Sequence, residues 1–432
     1  MSPYLIGVIC LAGFLILAIS GLPIAFSFAS TGIIGIMMIQ GLHAGLASFG
    51  DAAYSEMASY VLTTIPLFVL MGQFAFHSGI SRDLFFAAYK WLGRLPGGLA
   101  LATTISCTGF AACTGSSVAS AATMATIAYP EMQRYHYSPR LATGCIAAGG
   151  TLGILIPPST IFIIYGIITE TSIGDLFIAG IFPGIMLSLL FCLVIYIMCK
   201  RNPELGPPSD GFTWKERFKS LTGVWGMIVL FMLVIMGLYF GIFAPSEAGA
   251  IGAFGAFLIA LIRRRLTRAS FLSALVETVR VSCFSLFVLV GAMLFNTFLS
   301  MTGLPQMLSL WVTSIPVPPF AILIIICIFY IPLGTVIDCL PMILLTMPFV
   351  FPIIEEFGFN PVWFGVLVCV LGELSLITPP VGINVYVVQG VTKAPLEDVM
   401  LGILPFALAF LVGIALLIAF PQISLFLPAT MK

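Results

Sequence analysis

The stretch Ala148-Gly149-Gly150-Thr151-Leu152-Gly153-Ile154-Leu155-Ile156-Pro157-Pro158-Ser159 reads as an apolar helix that stops in mid-course. Glycines followed by a double proline interrupt the hydrogen-bond ladder, because proline lacks an N–H and clashes with the preceding turn. The same signature returns as Leu371-Gly372-Glu373-Leu374-Ser375-Leu376-Ile377-Thr378-Pro379-Pro380, with Pro379 222 positions after Pro157. That shift also carries Pro130 onto Pro352, Gly180 onto Gly402, Pro183 onto Pro405, Pro23 onto Pro245 and Asp175 onto Glu397. Six matches at one offset indicate an internal duplication. In a membrane chain, matched helix breaks in two repeats are the best sequence pointer to a transport site.

Composition places the chain in a membrane. It is 60% hydrophobic and 8% charged, against about 25% charged in a soluble domain. Apolar runs at 224–244, 248–262, 320–331 and 399–420 approach or exceed the roughly 20 residues that span the hydrocarbon layer. With 28 Pro and 42 Gly, many helices must kink or break, which is tolerated at membrane depth only where protein or a watery cavity surrounds the backbone. The net charge is zero, so nothing points to nucleic acid as a partner. Ten cysteines include no CxxC pair and fall mostly in apolar runs, where they read as small buried hydrophobes. The N-terminus lacks the basic flank of a secretory signal and reads as a retained first helix.

The basic residues fall in four regions, around Arg82–Arg94, Arg134–Arg140, Lys200–Lys219 and Arg263–Arg280. The positive-inside rule puts all four in the cytoplasm. Residues 95–132 are then apolar with both ends on one side, and must enter and return. The small polar run Thr114-Gly115-Ser116-Ser117 at their centre suits the turn of a hairpin. Residues 319–354 resemble this hairpin, with Thr335 and Asp338 near the centre, but are flanked by uncharged 314–318 and by Glu355-Glu356, which suggests an outside location. One hairpin from each side makes an inverted-topology repeat. The expected organisation is a first repeat over residues 1–199, a linker over 200–222 and a second repeat over 223–432. Hairpins are expected at about 96–132 and 319–354, and broken helices at about 141–168 and 361–390. Residues 42–64 and 266–280 read as helices lying along the interface, and both termini are expected outside.

Three constellations could carry chemistry. At each break, freed carbonyls can coordinate a cation, while the helix that follows offers N–H groups to an anion. At the hairpin tips, Thr114, Ser116, Ser117, Thr335 and Asp338 offer hard oxygens suited to Na⁺; the serines also fit simple close helix packing. Asp338 and Glu373 are carboxylates at membrane depth, where such groups are costly and functional by default. Each could ligate a cation, accept a proton or pair structurally. Enzyme chemistry finds no support: His43, His77 and His136 lack ligand spacing, and HExxH and GxxxxGK are absent.

Residues 65–72 (IPLFVLMG), 114–119 (TGSSVA), 149–159, 244–249 (APSEAG) and 372–382 resemble, in order, the large membrane subunit of tripartite ATP-independent periplasmic (TRAP) transporters, of the DctM or SiaM type. The resemblance implies an all-α polytopic fold with two re-entrant hairpins and two broken helices, in an elevator-type carrier of the ion-transporter superfamily. It implies a sodium-coupled importer in a bacterial inner membrane, taking a small organic anion such as a C4-dicarboxylate, sialic acid or related carboxylate or sulfonate from a periplasmic binding protein. A small four-helix membrane subunit is the implied partner. Carried over, Ser116, Ser117, Gly150 and Thr151 would help form one sodium site, and Thr335, Asp338, Gly372 and Glu373 the symmetry-related one. Substrate would lie between the tips, with Thr114, Ser116 and Asp338, and the breaks at Pro157-Pro158-Ser159 and Pro379-Pro380. The rival readings are a stand-alone ion-coupled carboxylate symporter of similar fold, which would need no binding protein, and a structural or channel subunit of a larger membrane complex.

Overall fold

The computed structural model describes residues 2–209, 211–379 and 382–431, all helix and connecting segments with no strand among them. Apolar side chains dominate most helix faces, and the helices satisfy their own backbone hydrogen bonds, as a spanning segment must. The chain opens with α1 (Pro3–Ile19), α2 (Ile24–Gln40), α3 (Leu42–Met57), α4 (Thr64–His77) and α5 (Ile80–Leu92). The first hairpin is α6 (Gly98–Thr114) and α7 (Ser117–Arg134), followed by α8 (Pro139–Leu155) and α9 (Thr160–Ile168), which meet at a 44° bend. Next come α10 (Ile173–Arg201), the short α11 (Trp214–Leu221), α12 (Trp225–Tyr239), α13 (Pro245–Ile262), α14 (Arg268–Thr302) and α15 (Leu304–Ser314). The second hairpin is α16 (Pro319–Val336) and α17 (Cys339–Glu356); α18 (Pro361–Ser375), α19 (Ile383–Thr392), α20 (Leu396–Ala419) and α21 (Gln422–Leu425) complete the chain. Among the described residues, seven helices are long and apolar enough to cross a membrane, or nine if each bent pair counts as one span.

The 222-residue shift reaches the elements themselves. It carries the first residue of α7 onto that of α17, the last of α7 onto the last of α17, and the first of α8 onto that of α18. Small residues let the helices approach closely. A Cβ on Gly32 of α2 would stand 2.8 Å from the backbone of Phe295 in α14, and one on Gly291 of α14 would stand 2.6 Å from the Ala25 carbonyl. Phe14, Phe28 and Phe295 fill that junction, with the first two rings stacked at 4.5 Å. Large apolar side chains such as Ile16, Leu189, Phe254, Ile325 and Leu408 remain exposed on the outer helix faces, the surface a bilayer covers.

Polar contacts gather at the two ends of α10, whose 29 residues span about 43 Å. At the Arg201 end, the Gly97 N–H donates to Gly206 O (3.0 Å), Ser138 N–H to Leu205 O (3.0 Å) and Trp91 Nε1 to Arg217 O (3.2 Å). Asp83 pairs there with Arg263 at 2.7 Å, and Asp398 with Arg140 at 2.8 Å. At the Ser172 end, Tyr165 Oη donates to Pro361 O (2.8 Å), and Trp363 Nε1 to Leu417 O (2.9 Å). The base of the first hairpin therefore belongs to the arginine-rich end, and that of the second hairpin, beside Phe359 and Pro361, to the other.

One expected element is different. Residues 266–280 are not a separate helix along the interface: from Arg268 they are the first turns of α14, which runs unbroken for 35 residues. At about 52 Å it exceeds the roughly 30 Å hydrocarbon core, so its polar beginning projects beyond the membrane. No proline lies between 268 and 302, and nothing else stops the helix. In the first half, the segment expected as one interfacial helix over 42–64 splits, with α3 ending at Met57 and α4 starting at Thr64.

Candidate functional site

Each hairpin tip is built by a helix stop and a new N-cap. Gly115 ends α6 in the left-handed region (φ 58°), and Ser116, in extended backbone, caps α7 by accepting the Ala119 N–H at 3.4 Å. Asp338, 222 positions on, caps α17, its Oδ1 accepting the Cys339 N–H at 2.8 Å. Thr335 Oγ1 donates to Pro332 O at 2.7 Å, and Thr114 Oγ1 shares a hydrogen bond with Ser120 at 2.8 Å.

The tips lie against the broken helices. A Cβ on Gly115 would stand 2.8 Å from the Pro158 carbonyl oxygen, and Thr160 Oγ1 donates to Gly115 O at 3.3 Å. The buried Pro157-Pro158 pair separates α8 from α9, and Ser159 caps α9 through the Phe162 N–H at 3.3 Å. Along the same contact, α8 presents Gly150 to Ala121 of α7, and Gly153 to Ser120 and to the capping Ser116. In the second half, Gly372 faces Cys339 and Gly334 faces Ser375, where an added Cβ would come within 2.3 Å of a side-chain atom in each case. Thr151 is fully buried and donates to its own helix at Ala148 O. Pro379 is exposed, and Pro380 lies outside the described residues.

Both tips reach one cavity of about 440 Å³, lined by Thr114, Ser116, Ser117, Thr160, Asp338 and Leu376 among others. Its lining continues through Gln73 and Phe76 of α4 and Glu277 of α14 towards the arginine-rich end, and includes no Lys, Arg or His among the described residues. A second cavity, about 330 Å³, lies towards the other end of the same seam between α14 and α9/α17, and includes Met293, Asn296, Ile168 and Phe351. Asn296 Oδ1 is buried there without a hydrogen-bond partner.

One grouping and one buried amide were not visible in the residue pattern. Ser117, expected with Gly150 and Thr151, donates through Oγ to Glu373 Oε2 at 2.6 Å, across the two repeats. Ser117 is 1% exposed and Glu373 0%, and Glu373 Oε1 has no hydrogen-bond partner. Asn384, in the first turn of α19, is also fully buried, with both amide atoms unpartnered. Its shift-related position is Phe162, so duplication gave no hint of it, although an amide just past a double proline in an apolar run was the available signal. By composition residues 266–280 read as a surface helix, but α14 carries Glu277 into the cavity wall.

A helical membrane chain whose two hairpin tips and helix breaks converge on a polar cavity has the architecture of a multi-pass transport protein. Residues 11–423 match the tripartite ATP-independent periplasmic transporter, DctM component, and the chain belongs to that family. It is 35% identical over 372 residues to the C4-dicarboxylate TRAP transporter large permease protein DctM of Pseudomonas aeruginosa, covering 85% of this chain and 86% of that one. It is 30% identical over 417 residues to the sialic acid TRAP transporter large permease protein SiaM of Vibrio cholerae, covering 96% and 97%. Among solved structures, the Alcanivorax borkumensis YdaH transporter superposes with a TM-score of 0.64 at 14% identity, over 88% of this chain and 89% of that one. That likeness concerns the fold alone.

Proposed function

We propose that this chain is the large permease of a sodium-coupled importer in a bacterial inner membrane, moving a small organic anion received from a periplasmic binding protein. The observation that carries the reading is the shared cavity, where both hairpin tips and the first helix break meet. Its lining has no cationic side chain among the described residues. It does contain the first turns of α7, α9 and α17, whose N–H groups favour an anion. Relatives named for C4-dicarboxylate and sialic acid transport support a carboxylate as cargo, held near Thr114, Ser116, Ser159 and Asp338.

The residues fit sodium as coupling ion. Hydroxyls and carbonyls at Ser116, Ser117, Gly150 and Thr151 would serve one site, and Thr335, Asp338, Gly372 and Glu373 the other. All offer the hard oxygens such an ion takes, and the orphaned Glu373 Oε1 has an acceptor's capacity to spare. Bound sodium would supply positive charge beside the cargo that the protein's own side chains do not. The opposite roots of the two hairpins support an inverted repeat, and the hairpins with their broken helices form the body that would slide as an elevator against α2, α4, α13 and α14. The family supports a small four-helix membrane subunit as the standing partner.

Uptake into proteoliposomes, with the small subunit and the binding protein supplied, tests the reading. Ser116→Ala, Thr335→Ala and Asp338→Asn should each raise the half-saturating sodium concentration on the order of tenfold. Unchanged sodium dependence in all three would remove the site assignment. Uptake at full rate without a binding protein would instead favour a stand-alone symporter.

A further inference from the structure

The hydrogen bond from Ser117 to Glu373 joins two places that the duplication keeps separate. Ser117 is the first residue of α7, beside the tip of the first hairpin, and Glu373 follows Gly372 in α18 of the second repeat. Among the described residues, it is the one side-chain hydrogen bond found linking the first hairpin to the second half of the chain. Both partners are buried to 1% exposure or less, so no solvent competes for it.

We propose that this bond couples the two cation sites, so that filling one orders the other. The proposal rests on the sodium reading above and extends it. A serine hydroxyl has one proton and two acceptor lone pairs. In Ser117 the proton is committed to Glu373 Oε2, which leaves the lone pairs for a cation in the first repeat. Glu373 commits Oε2 to Ser117 and keeps Oε1 unpartnered, free for a cation in the second. A cation on the Ser117 oxygen polarises the O–H and strengthens its donation, and in a low-dielectric interior such chains reinforce one another. The tie then holds the Glu373 rotamer in place for the second ion. The carboxylate also stands between two like charges that would otherwise repel each other strongly in this environment. Glu373 thus acts as a positioning residue for the first site and a ligand of the second.

The test uses the purified chain with its small subunit, and reads the rise in unfolding temperature with sodium as well as uptake. The wild type should respond cooperatively, with a Hill coefficient above one in both readouts. Ser117→Ala removes the donor; Glu373→Gln keeps an acceptor but removes the charge. Each should bring the Hill coefficient down to about one and raise half-saturation on the order of tenfold, in the ordinary range of site–site coupling. The double variant should fall short of the sum of the two single effects, because part of each passes through one shared link. Ser117→Thr keeps the hydroxyl and should restore cooperativity, which separates loss of the bond from damage to the fold. A cooperative response that survives Ser117→Ala and Glu373→Gln, or strictly additive effects of the two, would overturn the coupling while leaving sodium transport intact. A wild type that does not respond to sodium in either readout would overturn the sodium reading and the coupling with it.

Discussion

A single methyl group at Gly372 would place a Cβ 2.3 Å from Cys339 Sγ and 3.1 Å from its Cβ. The obstacle is the sulfur, held in a contact between α18 and the second hairpin. Gly372→Ala should therefore destabilise the protein by about 1–3 kcal/mol, the ordinary cost of overpacking. Adding Cys339→Ala should recover most of it, since the two remaining neighbours, the Cβ at position 339 (3.1 Å) and Met342 Cε (3.2 Å), need yield by only a few tenths of an ångström. Thermal unfolding of the two variants in the same detergent checks this, and a double variant as unstable as the single one would refute the assignment. At this scale the chain was only partly legible. Single prolines such as Pro130, Pro183 and Pro405 sit inside α7, α10 and α20, but a double proline after a run of glycines stops a helix, so the interruption at Pro157-Pro158 could be read from the residues alone. Ser117 and Glu373 stand 256 positions apart and belong to different repeats. The family resemblance implies separate, symmetry-related sites for them, and only packing brings them together.

Among the elements, α11 is the most dependent on its own capping. Its eight residues are too few for an isolated helix, and none is buried. A reciprocal capping box holds its start: Glu216 accepts from the Thr213 hydroxyl at 2.7 Å and from the Thr213 N–H at 2.8 Å. Those bonds keep the Glu216 carboxyl below its ordinary range, with the Thr213 hydroxyl as the larger cause. A depressed carboxylate contributes stability that is present above its unfolded value and is lost as pH falls through the folded one. A spin label at Ser220→Cys should thus become more mobile under acid. Thr213→Ala, which costs about 1 kcal/mol of helix, should produce that mobility at neutral pH; a label equally immobile in both would sink the argument. The element map shows where sequence patterns mislead. The polar beginning of α14 looks like a surface helix by composition, but helices end at stop signals, and the chain supplies none before Gly303, which takes the left-handed conformation (φ 70°).

For the whole molecule, the opposite roots of the two hairpins carry a prediction about sides. With the exposed Cys283 replaced, cysteines introduced at Thr171 and Gly358 should react with an impermeant maleimide from outside. Those at Glu204 and Lys393 should react only after the membrane is opened. Labelling of Gly358→Cys and Glu204→Cys from the same side would abolish the inverted arrangement. Loop charge is what makes this prediction legible in the sequence, because arginines mark one membrane face whatever the helices do between them. It could not reveal that one helix walls both cavities. Ser285 borders the first cavity and Asn296 the second. They lie eleven residues apart, three turns along one face of α14, or about 16 Å. An uninterrupted helix cannot shorten that interval by bending at a hinge of its own. On the proposed elevator reading, α14 would be a fixed rule with two polar marks, and the interval between them the step a sliding hairpin body would cover.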